Sequence, residues 1–170
     1  MRRVVVIGNG GGGKSTLSRR LGSQLACTCV EIDAVLWQPG WKLTPVEAYE
    51  AEHARLISEQ RWIIDGLGRR ESIPQRLSRA TDIVLVDMPL WMHFWLTAER
   101  QIQWATGNLE HPPAGIAKMP RTEALFRTIW EVDKTWMPEI RSLAAMEEER
   151  GKRVFRLAAV SELEHFALPA

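Results

Sequence analysis

Short runs of apolar residues alternate along this chain with longer stretches in which apolar side chains recur every three or four positions. The apolar runs predict five strands, at residues 3–7, 28–32, 62–66, 81–87 and 153–157. The periodic stretches predict helices at residues 14–25, 45–59, 90–104 and 161–166, and over most of 121–149. Strands that alternate with helices are typical of an α/β protein with a parallel sheet.

Directly behind the first predicted strand, residues 8–15 read Gly-Asn-Gly-Gly-Gly-Gly-Lys-Ser, a complete G-x-x-x-x-G-K-[ST] motif. Glycines let such a loop curl until successive N–H groups point at one phosphate, and the following helix adds its N-terminal dipole. In this pattern Lys14 reaches the β- and γ-phosphates, and the Ser15 hydroxyl ligates Mg²⁺. The predicted nucleotide site comprises Gly8, Asn9, Gly10, Gly11, Gly12, Gly13, Lys14, Ser15 and Thr16.

Aspartates follow three of the predicted strands, at the edge where a parallel sheet binds its ligands. Asp33 follows the second strand, where it could act as a general base, orient a phosphate acceptor or cap the next turn or helix. Asp65 ends the third strand and suits either a carboxylate that holds Mg²⁺-bound water or an Asx turn. Asp87 stands two residues before Pro89, and this pattern suits a turn at least as well as a ligand-binding site.

The composition restricts the class of protein. With 170 residues, 45% of them apolar and 25% charged, the chain suits one globular domain, which we expect to span residues 1–170. Lys and Arg (22) nearly balance Asp and Glu (21), so no global basic field favours nucleic acid as a partner. No apolar stretch approaches the roughly 18 residues of a membrane span, so we expect no membrane partner and a cytoplasmic location. Cys27 and Cys29 are expected to be reduced.

Arginines are the usual neutralisers of a transferring phosphoryl group, because the planar guanidinium holds two oxygens at once. Spacing alone does not separate candidates for this role from solvated surface arginines. The candidates are Arg69, Arg100, Arg127 and Arg141.

Tryptophans form two further groups. Trp37 and Trp41 lie in a turn after Asp33 and suit a ligand pocket or a structural turn equally well. Trp91 and Trp95 recur with Phe94 at helical spacing, and we predict that these three side chains belong to the core.

Several segments resemble the adenylate-kinase-like P-loop kinases. The likeness lies in the phosphate loop, in the turn Asp65-Gly66-Leu67-Gly68-Arg69 and in the strand end Val86-Asp87-Met88-Pro89. Within that superfamily, Trp37-Gln38-Pro39-Gly40-Trp41 is similar to the bacterial DNA topology modulation, or FlaR-like, proteins. The resemblance implies a three-layer α/β/α sandwich with five parallel strands in the order 2-3-1-4-5, a substrate-binding helical segment after the second strand, and a helical lid around residues 104–136.

The resemblance also implies roles for individual arginines. Arg69 matches the arginine that grips the acceptor phosphate in adenylate kinases. Arg100 matches the second of two arginines that follow the strand-end Asp-x-Pro, whereas Leu96 occupies the position of the first. Arg127, and less closely Arg141, correspond to arginines of the helix after the lid.

Together these features predict a Mg²⁺- and ATP-dependent kinase that transfers the γ-phosphoryl group to an unidentified small-molecule acceptor, with nucleosides and nucleotides among the candidates. Lys14 and Arg100 would stabilise the transferring group, and Asp33 would orient the acceptor. The proline-rich loop at residues 106–120 would close as a lid and exclude water. Two alternatives stay open: a nucleotide-dependent regulatory or DNA-associated protein, and a bare ATPase. The sequence does not reveal the oligomeric state.

Overall fold

The computed structural model describes residues 2–40, 42–109 and 119–169. Its strands are β1 (Arg3–Gly8), β2 (Cys29–Glu31), β3 (Trp37–Gln38), β4 (Lys42–Leu43), β5 (Trp62–Asp65), β6 (Asp82–Val86) and β7 (Arg153–Leu157). Five of them form one parallel sheet in the order β2-β5-β1-β6-β7, while β3 and β4 form a small antiparallel hairpin. In the numbering of the predicted strands this order is 2-3-1-4-5, so the predicted sheet is confirmed.

Helices connect the strands of the sheet. They are α1 (Lys14–Leu25), α2 (Ile32–Leu36), α3 (Val46–Ser58), α4 (Ile73–Arg79), α5 (Leu90–Ala105), α6 (Thr122–Thr135), α7 (Met137–Glu149) and α8 (Val160–His165), with a 3₁₀ turn at Arg70–Ser72. The stretch 121–149, predicted to be mostly helical, divides into α6 and α7 at Trp136. Pro138 stands in the first turn of α7, where proline is tolerated because its missing N–H has no partner to lose.

Helices cover both faces of the sheet because its central strands are apolar on both sides. Val5 and Ile7 of β1 belong to a core shared with α3, α4, α6 and α7. Val4 and Val6 belong to a second core shared with α1 and α8. Successive side chains of a strand point to opposite faces, and a strand buried on both faces is typical of parallel sheets. The fold is therefore the predicted three-layer α/β/α sandwich.

Three short elements are absent from the sequence-based prediction: α2, the β3–β4 hairpin and α4. The first of them changes the position of a candidate residue. Strand β2 ends at Glu31, and Asp33 lies in the first turn of α2 instead of at a strand tip.

Helix α5 buries a different face from the one predicted. Trp91 and Trp95 are 62% and 61% exposed, so the prediction that they belong to the core is wrong. Phe94 is half-buried and packs on Phe126, with ring centroids 4.9 Å apart.

The predicted lid lies between α5 and α6. Of its loop, residues 110–118 lie outside the described residues, so the lid stays a prediction. Among the helices of the described ranges, none is both long and apolar enough to cross a membrane.

Candidate active site

The loop between β1 and α1 presents a helix N-terminus to any bound anion. The N-cap of the 12-residue helix α1 is Gly13, whose backbone is left-handed (φ 72°). No side chain caps this end and its first turn carries no acidic residue, as far as the described part of the chain shows. The N–H groups and the dipole of α1 therefore face the loop without a competing carboxylate, an arrangement that suits phosphate.

Helix α5 packs directly against this loop. The Nδ1 atom of His93 lies 2.8 Å from the carbonyl oxygen of Gly10. Gly11 has φ +70°, and a Cβ atom there would collide with the hydroxyl of Thr97. Sequence reasoning missed His93 and Thr97, although a signal existed: with Gln101 they form a polar stripe at four-residue spacing, and all three are buried.

Helix α6 also holds the loop, through Asn9. The Asn9 side chain donates a hydrogen bond to the carbonyl of Ile129 (2.8 Å) and accepts one from the N–H of Gly10 (2.7 Å). Asn9, predicted to contact the nucleotide, is thus 1% exposed and attaches the loop to α6 with its side chain.

Lys14 lies among the other candidate charges. Its ammonium donates a 2.6 Å hydrogen bond to the backbone carbonyl of Asn9. Burial lowers the pKa of Lys14, the nearby carboxylates of Asp33 and Asp65 raise it, and the Arg100 guanidinium lowers it further. Four predicted site residues from α1, α2, β5 and α5 therefore interact electrostatically at one edge of the sheet.

Asp65 has the features of a residue that holds a metal through water. It ends β5, is 1% exposed, and its Oδ2 atom is buried with no hydrogen-bond partner in the described residues. Burial raises the pKa of Asp65 to about 6, against the lowering effect of the Lys14 ammonium and the Ser15 hydroxyl. A buried carboxylate oxygen without a partner, beside a serine hydroxyl, fits Mg²⁺ and its water shell, because Mg²⁺ prefers oxygen ligands and keeps several waters.

Asp33 has a structural role on one of its oxygens. Its Oδ1 atom accepts a 2.9 Å hydrogen bond from the N–H of Gly68, and its Oδ2 atom approaches Gly66 so closely that a Cβ there would lie 2.6 Å away. One oxygen of Asp33 thus stabilises the turn after Asp65, 35 residues away, and does not cap α2, whose N-cap is Glu31. The same carboxylate still acts on Lys14 across the site.

The turn after Asp65 is also held from α4 and α3. Arg76 is fully buried and donates hydrogen bonds to the carbonyls of Gly66 (3.0 Å) and Leu67 (2.9 Å). The hydroxyl of Tyr49 accepts a 3.1 Å hydrogen bond from the backbone N–H of Arg69. Neither Arg76 nor Tyr49 was predicted from the sequence to belong to the site.

Arg69 ends this turn, and one nitrogen of its guanidinium has no hydrogen-bond partner among the described residues. Its Nη2 donates to the carbonyl of Thr44 (2.9 Å), and its guanidinium lies 5.6 Å from the ring centroid of Tyr49. Its Nε is buried without a hydrogen-bond partner among the described residues. A groove of about 540 Å³ runs from Arg69 between α3 and α4, lined also by Tyr49, His53 and Gln75.

The remaining arginines differ in how close they come to the loop. Arg100 is half-buried on α5, burial lowers its pKa, and its Nε has no hydrogen-bond partner in the described residues. Arg127 pairs within its own helix: its side chain is 70% exposed and bonds Glu123 of α6 at 2.9 Å. Arg141 forms a two-pronged ion pair with Asp87, at 2.8 to 3.0 Å, so Asp87 serves a structural contact.

The tryptophan segment is described only in part. Trp37 lies in β3 and is 37% exposed. Trp41 lies outside the described residues. A pocket formed by both tryptophans therefore stays a prediction.

The sheet order and the phosphate loop together give this chain a three-layer α/β/α fold with a P-loop motif. Two solved structures resemble it in fold. A shikimate kinase from Acinetobacter baumannii in complex with shikimate has a TM-score of 0.51 and 13% identity, over 84% of this chain and 80% of that chain. A gluconokinase from Sinorhizobium meliloti 1021 has a TM-score of 0.44 and 18% identity, over 88% of this chain and 95% of that chain. No family model and no curated protein matches the sequence.

Proposed function

We propose that this protein is a Mg²⁺- and ATP-dependent kinase that phosphorylates a small molecule. The observation that carries the proposal is the meeting of Lys14, Asp33, Asp65 and Arg100 beside the phosphate loop. Phosphoryl transfer needs little covalent chemistry from the protein, and positioning and charge neutralisation supply most of the catalysis. This site supplies positioning and charge neutralisation through a helix N-terminus, a lysine, an arginine and a carboxylate suited to Mg²⁺.

Each residue has a defined task in this proposal. Lys14 exchanges the carbonyl of Asn9 for the β- and γ-phosphates, since a phosphate is the stronger acceptor for an ammonium group. Ser15 and Asp65 would hold Mg²⁺, which would neutralise charge on the phosphate oxygens. Arg100 supplies positive charge from α5, and its free Nε donor needs an acceptor such as a phosphate oxygen.

The acceptor would bind on the side of the turn after Asp65. Asp33 orients the acceptor hydroxyl or phosphate with the oxygen that does not bind Gly68, and Arg69 contributes positive charge. Arg127 would join the site only if α6 moves with the lid, because its guanidinium now pairs with Glu123. The match of Arg69 to the arginine that grips the acceptor phosphate in adenylate kinases supports a nucleotide-like acceptor.

The test is a search for acceptor-dependent ADP formation. Candidate nucleosides, nucleotides and sugars are first screened by thermal shift with ATP and Mg²⁺, since a ligand at 100 times its Kd adds about 2.7 kcal/mol and roughly 5–10 °C to the melting temperature. Compounds that stabilise the protein are then assayed for ADP production.

We expect Lys14→Ala to lower kcat about 100-fold or more, as the loss of one donor to a developing charge does in other enzymes. Arg79→Ala is the matched control, because Arg79 is an exposed cation on α4. ADP formation that is independent of any acceptor would indicate a bare ATPase. Absence of stabilisation by every nucleotide would contradict the proposal.

A further inference from the structure

A buried histidine lies against the phosphate loop and has no role in the mechanism above. His93 of α5 is 1% exposed, and its Nδ1 atom lies 2.8 Å from the carbonyl oxygen of Gly10. A carbonyl oxygen only accepts hydrogen bonds, so Nδ1 must carry the hydrogen. Burial lowers the pKa of His93 although its hydrogen bonds to the backbone of Gly10 and Met88 raise it, so the neutral ring is favoured near pH 7.

The same ring sets how closely the loop approaches α5. A Cβ atom at Gly12 would lie 2.9 Å from Cε1 of His93, closer than carbon atoms pack. One turn further along α5, Thr97 occupies the space that a Cβ at Gly11 would need. The loop therefore rests on two side chains of α5, and only glycine fits at both contacts.

The hydrogen bond from His93 fixes the orientation of one peptide group. The carbonyl of Gly10 and the N–H of Gly11 belong to the same peptide plane, and in a trans peptide these two groups point in opposite directions. No cis peptide occurs in the described residues. Because the Gly10 carbonyl points toward His93, the Gly11 N–H points away from α5.

The neighbouring donor is already occupied. The N–H of Gly10 donates to Oδ1 of Asn9 at 2.7 Å. The Gly11 N–H is thus the donor whose direction depends on His93, and a P-loop binds phosphate through such backbone donors.

We propose that His93 is a positioning residue of the phosphate loop: by binding the carbonyl of Gly10, it aims the N–H of Gly11 at the nucleotide phosphate. The inference rests on the proposed function, since it assumes that a nucleotide binds here. His93 itself does not touch the nucleotide and acts through the loop backbone.

Three variants separate this hydrogen bond from mere packing. In His93→Asn the amide nitrogen takes the place of Nδ1 and can still donate to Gly10. In His93→Gln the amide lies one bond farther out, where the ring has Nε2, and His93→Ala has no donor. We expect His93→Asn to bind Mg·ATP within about 3-fold of the wild type, and the other two to bind roughly 5- to 10-fold more weakly, as measured by calorimetry.

The matched control is His165→Ala. His165 also donates from Nδ1 to a backbone carbonyl, that of Ser161 at 2.7 Å, but it is exposed on α8. Its loss should leave Mg·ATP affinity unchanged. Melting temperatures of all variants show whether a weakened affinity comes from unfolding, and the Asn and Gln variants decide the question if His93→Ala does not fold.

A second measurement needs no nucleotide. A long-range ¹H–¹⁵N NMR spectrum of the ligand-free protein should show His93 as the Nδ1-protonated neutral tautomer. Observation of the Nε2-protonated tautomer would overturn the inference. The inference would also be overturned if folded His93→Gln and His93→Ala bound Mg·ATP like the wild type. It would be overturned as well if His93→Asn bound Mg·ATP as weakly as His93→Ala. If the wild type itself binds no Mg·ATP, it is the proposed function that fails.

Discussion

At the scale of single residues, the site is marked by buried polar atoms that lack partners. Asp65 Oδ2, Arg69 Nε, Arg100 Nε and Thr97 Oγ1 are all buried without a hydrogen bond in the described ranges. Leaving a buried polar atom unpaired costs about 1–3 kcal/mol, so most such atoms in folded proteins have partners. A polar ligand bound between the loop and the turn would complete such contacts.

Asp65→Asn tests the metal role directly. The substitution keeps the shape of the side chain but removes the charge, so the Mg²⁺ dependence of ATP affinity should disappear. The ligand-free protein should melt at the same or a higher temperature near pH 7, because an ionised carboxylate with an unpaired oxygen is no longer buried. Calorimetry with and without Mg²⁺ measures the first effect, and an unchanged response to Mg²⁺ would argue against this role for Asp65.

The imidazole of His53 makes the folded state sensitive to acid. Burial and the Arg76 cation lower the pKa of His53 from 6.5 to about 4. Between these values the unfolded chain binds a proton that the folded state does not. As the pH decreases over this range, the free energy of unfolding therefore decreases, and His53 accounts for on the order of 3 kcal/mol of this loss.

His53→Gln should remove that contribution. Urea unfolding of both proteins near pH 7 and at about pH 4.5 measures it, because the loss on acidification should be smaller in the variant. An equal loss in the two proteins would mean that His53 does not titrate as a buried neutral group.

At the scale of elements, helix α5 shows what periodicity can and cannot reveal. Trp91, Trp95 and Ile102 recur at helical spacing on one side of the helix, while His93, Thr97 and Gln101 recur on the other. Both stripes predict a helix, and the structure has one. The polar stripe is the buried one: His93 and Thr97 pack against the phosphate loop, and Gln101 donates hydrogen bonds to Pro120 and Thr122. The apolar stripe is more than 60% exposed. Periodicity identifies the element, whereas the burial of its faces depends on the neighbours.

The tryptophans provide a test of whether α5 exposes its apolar face. Trp62 of β5 is 2% exposed, so Trp62→Ala should lower the free energy of unfolding by about 3–5 kcal/mol. Trp95→Ala, at a position 61% exposed, should cost less than about 1 kcal/mol. Urea denaturation compares the two, and a cost for Trp95→Ala similar to that for Trp62→Ala would show that α5 buries its apolar face.

At the scale of the whole molecule, the five strands of the parallel sheet could be predicted because their signals are local and strong, whereas their order was implied by the resemblance to the P-loop kinases. Each strand is a short apolar run, and the phosphate loop has a motif of its own. The missed elements are short: α2 has five residues and α4 has seven, too few for a helical period to show. This is why Asp33 was expected at a strand tip and lies in a helix.

The residues of the candidate site also divide into those whose positions could be predicted from the sequence and those whose positions could not. Lys14, Ser15 and Asp65 could be predicted because their function depends on their place beside a strand end. Tyr49 and Arg76 could not, because each supports the site from another element, and only the tertiary structure brings them to the turn. His93 had one signal in the sequence, the polar stripe of α5, but its contact with the loop is a tertiary one. The lid and the role of Arg127 stay predictions.

The central claim, that the loop at residues 9–13 binds a nucleotide through Lys14, is tested most directly by titrating the wild type and Lys14→Ala with Mg·ATP in a calorimeter. Loss of a charge-assisted contact should weaken binding roughly 10- to 100-fold, while the variant stays folded, because the Lys14 ammonium has one backbone hydrogen bond to lose. Equal affinity of the two proteins for Mg·ATP, or no binding to the wild type, would contradict the account.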